Sequence, residues 1–361
     1  MSKPNIANGA TYAPTAEAEK VVKPGEFAFA SAYLDHGHIY GQVNGLRDAG
    51  GTLKWVYDPD PEKVAAFLEK NPEAQVADSY AQLLGDSEVK MVTAAAIPNK
   101  RAEIGFQALE AGKDYFTDKS PFTNLLQLEA ARRKTTETGR RYMVYYSERL
   151  HNEAGMKAGE LIADGAVGRV LQVVNLAPHR LSKDIRPDWF FDKEQYGGII
   201  TDIGSHQLEQ FLAYTGATDA EVNFARVENF NNPDKPGLED FGEVSLTADN
   251  GASFYCRMDW FTPDGSPVWG DGRTFVVGTE GTLEVRKYMD PCRQAPDSRI
   301  FLTNGETQQE IECFESVGFP FFGELILDSL NRTEHAMTQA HAFKAAELSL
   351  KAQALADGQE F

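Results

Sequence analysis

Apolar residues follow two regimes along the chain. From Glu26 to Tyr146, short apolar runs alternate with stretches whose apolar positions recur every three or four residues. Phe27–Tyr33 is too short for a helix and is apolar nearly throughout, as a strand covered on both faces requires. Ile39, Val43 and Leu46 then repeat at helical spacing up to Ala49. The alternation continues with strand Leu53–Tyr57, helix Glu62–Lys70, strand Val89–Ala95 and helix Lys100–Ala111, stopped by Gly112. Strand Tyr115–Thr117, helix Leu125–Thr138, stopped by Gly139, and strand Tyr142–Tyr146 complete it. This order predicts an α/β fold whose first domain is a Rossmann-type doubly wound parallel sheet.

Beyond Tyr146 the period changes. A helix over Glu153–Asp164 ends at Gly165, and strand-like runs follow at 170–176, 222–227, 242–247, 252–261, 273–277, 282–288, 300–302 and 309–314. Gly, Asn, Asp and Pro separate them, and several neighbours are close enough for hairpins. The expectation is a C-terminal α+β domain with a mostly antiparallel open sheet, one face covered by a helix beginning near Asp202. Helices at Phe321–Asn331 and from His335 to about Leu355 close the chain. The organisation read from these patterns is a flexible N-terminal arm at 1–25, a parallel-sheet domain at 26–147, and an α+β domain at 148–361.

Composition narrows the partners. Lys and Arg total 35 against 54 Asp and Glu, so the net charge is −19. Such a surface repels phosphate backbones and anionic lipid, which excludes nucleic-acid and membrane-surface binding as expectations. The three cysteines are widely separated, with no Cys-x-x-Cys, so neither a zinc cluster nor a disulfide framework is signalled. An odd count without the apolar core of a secretory signal fits a reducing, cytoplasmic location. No apolar run reaches membrane-spanning length, and no metal site is expected, because His151, His335 and His341 lack partners at ligand spacing.

Candidate chemistry sits at strand ends, where doubly wound sheets bind ligands. The first turn reads Ala32-Tyr33-Leu34-Asp35-His36-Gly37-His38 in place of a Gly-x-Gly-x-x-Gly loop, so one glycine of three is in position. Ala32, Leu34, Asp35, His36, Gly37 and His38 are nonetheless the residues placed to meet a dinucleotide. Asp58 closes the second strand 21 residues after Gly37. An acid there binds the adenosine ribose hydroxyls and disfavours a 2′-phosphate, so NAD is favoured over NADP. Asp58 could also simply open its Pro-containing turn. Lys119 follows the strand Tyr115–Thr117, where an ammonium can steady negative charge on a hydroxyl oxygen.

The stretch Gly197–Gln207 places Asp202 and His206 four residues apart after two glycines. On a helix they share a face, and a carboxylate beside an imidazole can fix the ring for proton transfer near neutral pH. A solvated surface pair has the same spacing. The loop His179–Phe191 mixes aromatic faces with charged donors, as sugar sites do; His179, Arg180, Arg186 and Trp189 are candidates for substrate contact, with Glu148 and Arg149 beside them. The alternative is that the aromatics are core and the charges solvated.

Taken together, these motifs resemble the Gfo/Idh/MocA oxidoreductase family, which includes glucose-fructose oxidoreductase and inositol dehydrogenase. The resemblance runs through Val89–Asn99, Gly112-Lys113, Lys119 in a variant of Glu-Lys-Pro, Gly165-Ala166-Val167-Gly168-Arg169, Gly197–His206 and Gly278-Thr279-Glu280-Gly281-Thr282-Leu283-Glu284. Two departures stand out: the first two loop glycines are absent, and Glu-Lys-Pro has become Asp118-Lys119-Ser120-Pro121. The resemblance implies that the domain at 26–147 binds NAD and that the domain at 148–361 binds substrate and carries the oligomer contact. It also implies that Lys119, Asp202 and His206 meet beside a nicotinamide, that Ala96, Pro98 and Asn99 add to the cofactor site, and that the protein is a homo-oligomer, a dimer or tetramer. It implies hydride transfer between NAD and a hydroxyl-bearing carbon of a sugar, polyol or cyclitol. The same fold also hosts NAD-dependent glycosidases or lyases with transient oxidation, and non-catalytic regulators that bind NAD and a sugar.

Overall fold

The computed structural model describes residues 18–290, 292–293, 297–314 and 316–359. The greater part of the expected arm, 1–17, lies outside the described residues. The described chain forms two compact units, residues 18–145 with 318–343, and residues 146–317 with 344–359.

The first unit holds six parallel strands: β1 (Ala28–Ala32), β2 (Thr52–Tyr57), β3 (Gln75–Val76), β4 (Val89–Ala94), β5 (Asp114–Asp118) and β6 (Tyr142–Tyr145). Their order is β3-β2-β1-β4-β5-β6, so the direction of winding reverses between β1 and β4. β1, β5 and β6 are buried along their whole length; β1 and β6 are nearly all apolar, whereas β5 begins and ends on a buried aspartate, Asp114 and Asp118. β3 is two exposed residues and left no pattern to read. Helices start and stop on local chemistry. Asp60 accepts the Glu62 N–H with Pro61 in the first turn, Asn124 accepts the Gln127 N–H, and Gly139 ends its helix at φ +64°.

The sequence pattern divides the chain at 147/148 and assigns everything later to the second domain. The compact units divide after Tyr145, and 318–343 belongs with the parallel sheet. The reason is aromatic packing and one buried acid. Helix Pro320–Asn331 sets Phe321 and Phe322 against Phe116 and Tyr145, and the Arg332 guanidinium takes both oxygens of Asp114 at 2.8 Å. Val21 joins the same unit through its N–H to the Ala49 carbonyl. The last helix starts at Gln339, four residues later than expected, because Asp328 gathers the Thr333 hydroxyl and the His335 and Ala336 N–H groups into a turn.

The second unit is an eight-stranded sheet of β7 (Val170–Pro178), β8 (Ala220–Glu228), β9 (Phe241–Ala248), β10 (Ser253–Asp259), β11 (Arg273–Gly278), β12 (Gly281–Arg286), β13 (Arg299–Asn304) and β14 (Gln308–Glu312). The order is β14-β13-β12-β11-β7-β10-β9-β8, antiparallel throughout except where β7 runs parallel to β10. β7 enters from the preceding helix and takes a central place, so its neighbours are distant in sequence. Buried and half-exposed residues alternate along β9 and β10, as in a sheet with one covered face. Phe211 of helix Ser205–Thr215 stacks on Phe254 of β10 with ring centres 4.7 Å apart, so the predicted cover is in place. No described helix is long and apolar enough to cross a membrane, and none of the three cysteines is paired.

Candidate active site

In the parallel-sheet unit, the first turn is stitched across three strand ends. Tyr33 adopts φ +53°, a conformation glycine takes at no cost, and is pinned on both sides. Its N–H meets the Tyr57 carbonyl and its carbonyl accepts the Ala95 N–H. The His36 N–H also reaches the Ala95 carbonyl. Two carboxylates do the rest. Asp58 accepts the Leu34 N–H at 2.7 Å and the Asp60 N–H at 2.8 Å, while Asp35 accepts the Ile97 N–H and pairs with Lys63 at 2.5 Å. The structure thus brings Ala32, Leu34, Asp35, Asp58 and the Ala96–Asn99 turn to the carboxyl ends of β1, β2 and β4. Burial raises the Asp58 pKa even against these backbone bonds. Gly37 sits at φ −61°, so its place in the turn needs no left-handed backbone.

Asp118, the last residue of β5, is fully buried and saturated with donors. His38 Nδ1 lies 2.8 Å from Oδ1, which also accepts the Lys119 N–H; His36 Nδ1 and Arg101 each lie 3.2 Å from Oδ2. Burial alone would raise this carboxyl; the charges of His38 and Arg101 outweigh it and hold the pKa well below the usual range. No metal site was expected from spacing. The fold nevertheless gathers His36, His38 and Asp118, with ligand atoms within 4.8 Å of one another, from positions 80 residues apart. Arg101 also holds the Lys119 and Ser120 carbonyls, which fixes the backbone that carries the nearly buried Lys119. The Lys119–Ser120 peptide is cis.

In the second unit, Gly198 has φ +100°, and the Gln353 amide occupies the space a Cβ would need. Gln353 Oε1 and Glu239 accept the Ile200 and Ile199 N–H groups, tying down the approach to Asp202. The expected ordinary helix is instead one π-helical turn, Ile200–Gly204, followed by α-helix Ser205–Thr215. Such wide turns recur at functional sites. Asp202 is half-buried and His206 is 2% exposed.

A buried network backs this helix. Glu148 Oε2 accepts from Gln207 Nε2 at 2.8 Å and from Lys287 Nζ at 3.0 Å, and Gln207 Oε1 accepts from Asn175. His179 Nε2 lies 3.4 Å from Glu148 Oε1. Burial would raise Glu148, but Lys287 foremost, with His179 and His206, holds it well below its ordinary pKa. Lys287, Asn175 and Gln207 were not among the expected site residues. A signal existed for Lys287: it shares the inward parity of Leu283 and Val285, where a charge needs a partner.

The expected substrate residues divide. His179 lies edge-on to Trp260 and Trp269, with ring centres at 5.4 and 4.4 Å, and Trp189 packs beside Phe190. Arg186 lies over Phe190 and Trp260 at 4.4 and 5.0 Å. Arg149 and Arg180 turn out to hold the protein together. Arg149 grips Glu209 through Nε and Nη2, and Arg180 Nη2 is surrounded by the Pro263, Ser266 and Val268 carbonyls. Arg149 spends Nε and Nη2 on a buried acid and Arg180 spends Nη2 on a tight loop, while Arg180 Nε, 3.8 Å from Asp264, makes no hydrogen bond among the described residues.

Fold and site together define a class, a Rossmann-fold oxidoreductase with a second, sheet-based domain. Residues 30–146 match the oxidoreductase family with an NAD-binding Rossmann fold, and residues 156–284 match the GFO/IDH/MocA C-terminal domain. A solved protein of Erwinia carotovora atroseptica, provisionally called an oxidoreductase, is 46% identical and superposes with a TM-score of 0.88 over 91% of this chain and 98% of its own. A 1,5-anhydro-D-fructose reductase of Ensifer adhaerens is 26% identical over 74% of this chain and 78% of its own length. A D-xylose dehydrogenase of Paenarthrobacter nicotinovorans is 26% identical over 64% of this chain and 62% of its own. The chain belongs to the Gfo/Idh/MocA family of oxidoreductases.

Proposed function

We propose that the protein is an NAD-dependent dehydrogenase acting on a hydroxyl-bearing carbon of a sugar, polyol or cyclitol. The observation that carries this reading is the start of helix Ser205–Thr215, where a nearly buried imidazole at His206 follows a half-buried Asp202 across a wide turn, on a helix braced through Gln207 by an ionised Glu148. Sugar reductase and dehydrogenase relatives support the substrate class.

The residues fit the cofactor. Asp58 uses one lone pair of each oxygen on backbone N–H groups and keeps the others for ribose hydroxyls, and its charge opposes a 2′-phosphate. Leu34, Asp35, His36, Gly37, His38, Ala96, Pro98 and Asn99 would complete the cradle. When bound, NAD supplies the hydride acceptor. His206 takes the hydroxyl proton, Lys119 steadies the charge growing on that oxygen, and Asp202 orients the ring or holds a neighbouring hydroxyl. The half-exposed face of the second sheet, with Phe224 and Val277 over 40% exposed, is the surface through which copies of the chain would associate. Light scattering of the purified protein measures the resulting mass.

His206→Ala is expected to lower turnover about 10²–10⁴-fold while NAD affinity, read by titration calorimetry, stays unchanged. A panel of sugars and polyols with NAD and NADP, read by absorbance of the reduced cofactor, supplies the substrate for that assay. Unchanged turnover in the variant removes His206 from the chemistry.

A further inference from the structure

Among the described residues, three cations occupy the loop between His179 and Trp189, and their donors are spent differently. Arg180 spends Nη2 on loop carbonyls and keeps its Nε, buried without a hydrogen bond, 3.8 Å from Asp264, and Lys183 pairs with Asp234 at 2.6 Å. Arg186 donates from Nε to the Leu181 carbonyl at 2.9 Å and reaches the Arg180 carbonyl from Nη2 only at 3.4 Å. Its Nη1 has no acceptor among the described residues. The guanidinium lies over Phe190 and Trp260, which are 3% and 6% exposed, so its underside is closed to water. Trp260, under the guanidinium, also meets His179 edge-on at 5.4 Å, and His179 lies 3.4 Å from Glu148, which holds Gln207 beside His206, so packing links Arg186 to the helix that carries the Asp202–His206 turn.

A half-buried guanidinium on aromatic faces, with an unused N–H edge, is built for a planar anion. Arginine's fork matches a carboxylate through two parallel N–H donors, and the partial exclusion of water strengthens that pair. A neutral sugar offers only hydroxyls, which do not match the fork with two charged acceptors.

We infer that the substrate is a sugar acid, an aldonate or uronate, whose carboxylate pairs with Arg186 while a hydroxyl meets the Asp202–His206 turn. The hydroxyl half of this statement rests on the dehydrogenase reading; the carboxylate half does not.

The test uses matched pairs differing in one group, D-galacturonate against D-galactose and D-gluconate against D-glucitol, titrated calorimetrically into the NAD-loaded protein. At least one acid is expected to bind about tenfold or more tightly than its neutral mate, and Arg186→Met to weaken that acid about 100-fold while leaving the neutral mate within threefold. Arg186→Lys keeps charge but not the fork and is expected to fall between. Equal or tighter binding of the neutral mates, no binding of any of the four, or an Arg186→Met variant with undiminished acid affinity overturns the inference. Wild-type preference decides the matter if the variant does not fold. Reduced cofactor from neutral sugars alone would sink the inference and keep the dehydrogenase. Acid binding through Arg186 without reduced cofactor would do the reverse.

Discussion

Asp118 and Glu148 are both fully buried carboxylates, both held ionised, and each adjoins a residue assigned to the chemistry or to its brace. They are satisfied in opposite ways. Asp118 receives two donors on each oxygen, from two imidazoles, a guanidinium and the next N–H in the chain. Glu148 receives both of its hydrogen bonds on Oε2, and its buried Oε1 has no hydrogen bond among the described residues, only the His179 ring at 3.4 Å. A saturated carboxylate locks a turn, whereas one with a spare acceptor leaves a place for a further donor. The parallel-sheet unit therefore supplies a fixed platform, and the second unit holds a carboxylate with one open acceptor beside His179.

The comparison breaks most directly at Lys287. It is 2% exposed and is the only full cation hydrogen-bonded to Glu148 among the described residues. Lys287→Met leaves a buried charge without its main partner and is expected to cost about 3–5 kcal/mol in urea unfolding. His206-dependent turnover should fall with it, since Gln207 loses a fixed anchor. A loss below about 1 kcal/mol would mean that Glu148 simply takes up a proton, and that the network is not an ionic one.

Acid sharpens the same contrast. Both carboxylates have folded pKa values below their unfolded ones, so the stability they contribute is complete above the unfolded value of about 4 and is lost as pH falls below it. Buried histidines act earlier. His36 is pushed down to about 4 by burial and by His38, and His151 to about 3 by burial. Each is neutral when folded and must stay so, so stability falls as pH drops below about 6.5, by up to about 1.4 kcal/mol per pH unit for each ring. Unfolding midpoints from pH 7 to 4 measure this slope. His36→Asn should lower it by about one proton, and an unchanged slope would show that His36 already carries its proton in the fold.

How legible this was depends on where the partners lie. Strand ends and glycine stops located the turn at Ala32–His38, Asp58, Lys119 and the Gly197–His206 stretch, because their chemistry follows from local pattern and from the rule that ligands meet parallel sheets at carboxyl ends. The pairing of Glu148 with Lys287 spans 139 residues, and that of His38 with Asp118 spans 80, so spacing could not announce either. Arg149 and Arg180 look like substrate donors in sequence; only the fold shows Glu209 and three loop carbonyls waiting for them. The π turn at Ile200–Gly204 escaped because the residues that make it also suit an α-helix; Gln353 and Glu239, distant in sequence, hold the N–H groups at its start.

The smallest effect belongs to the saturated side. His38 Nδ1 is one of two donors on Asp118 Oδ1, the other being the Lys119 N–H, while Arg101 and His36 remain on Oδ2. Removing one donor of four leaves no oxygen bare, so His38→Ala is expected to cost about 1–2 kcal/mol, well under Lys287→Met. Part of that is lost packing, since the ring stands edge-on to Tyr145 at 5.9 Å. His38→Asn restores an N–H where Nδ1 was and should recover the hydrogen-bond share but not the packing share. If His38→Ala instead costs as much as Lys287→Met, Asp118 depends on one partner as Glu148 does. The two carboxylates would then differ only in address, and the fixed platform would have to be sought in Asp35 and Asp58.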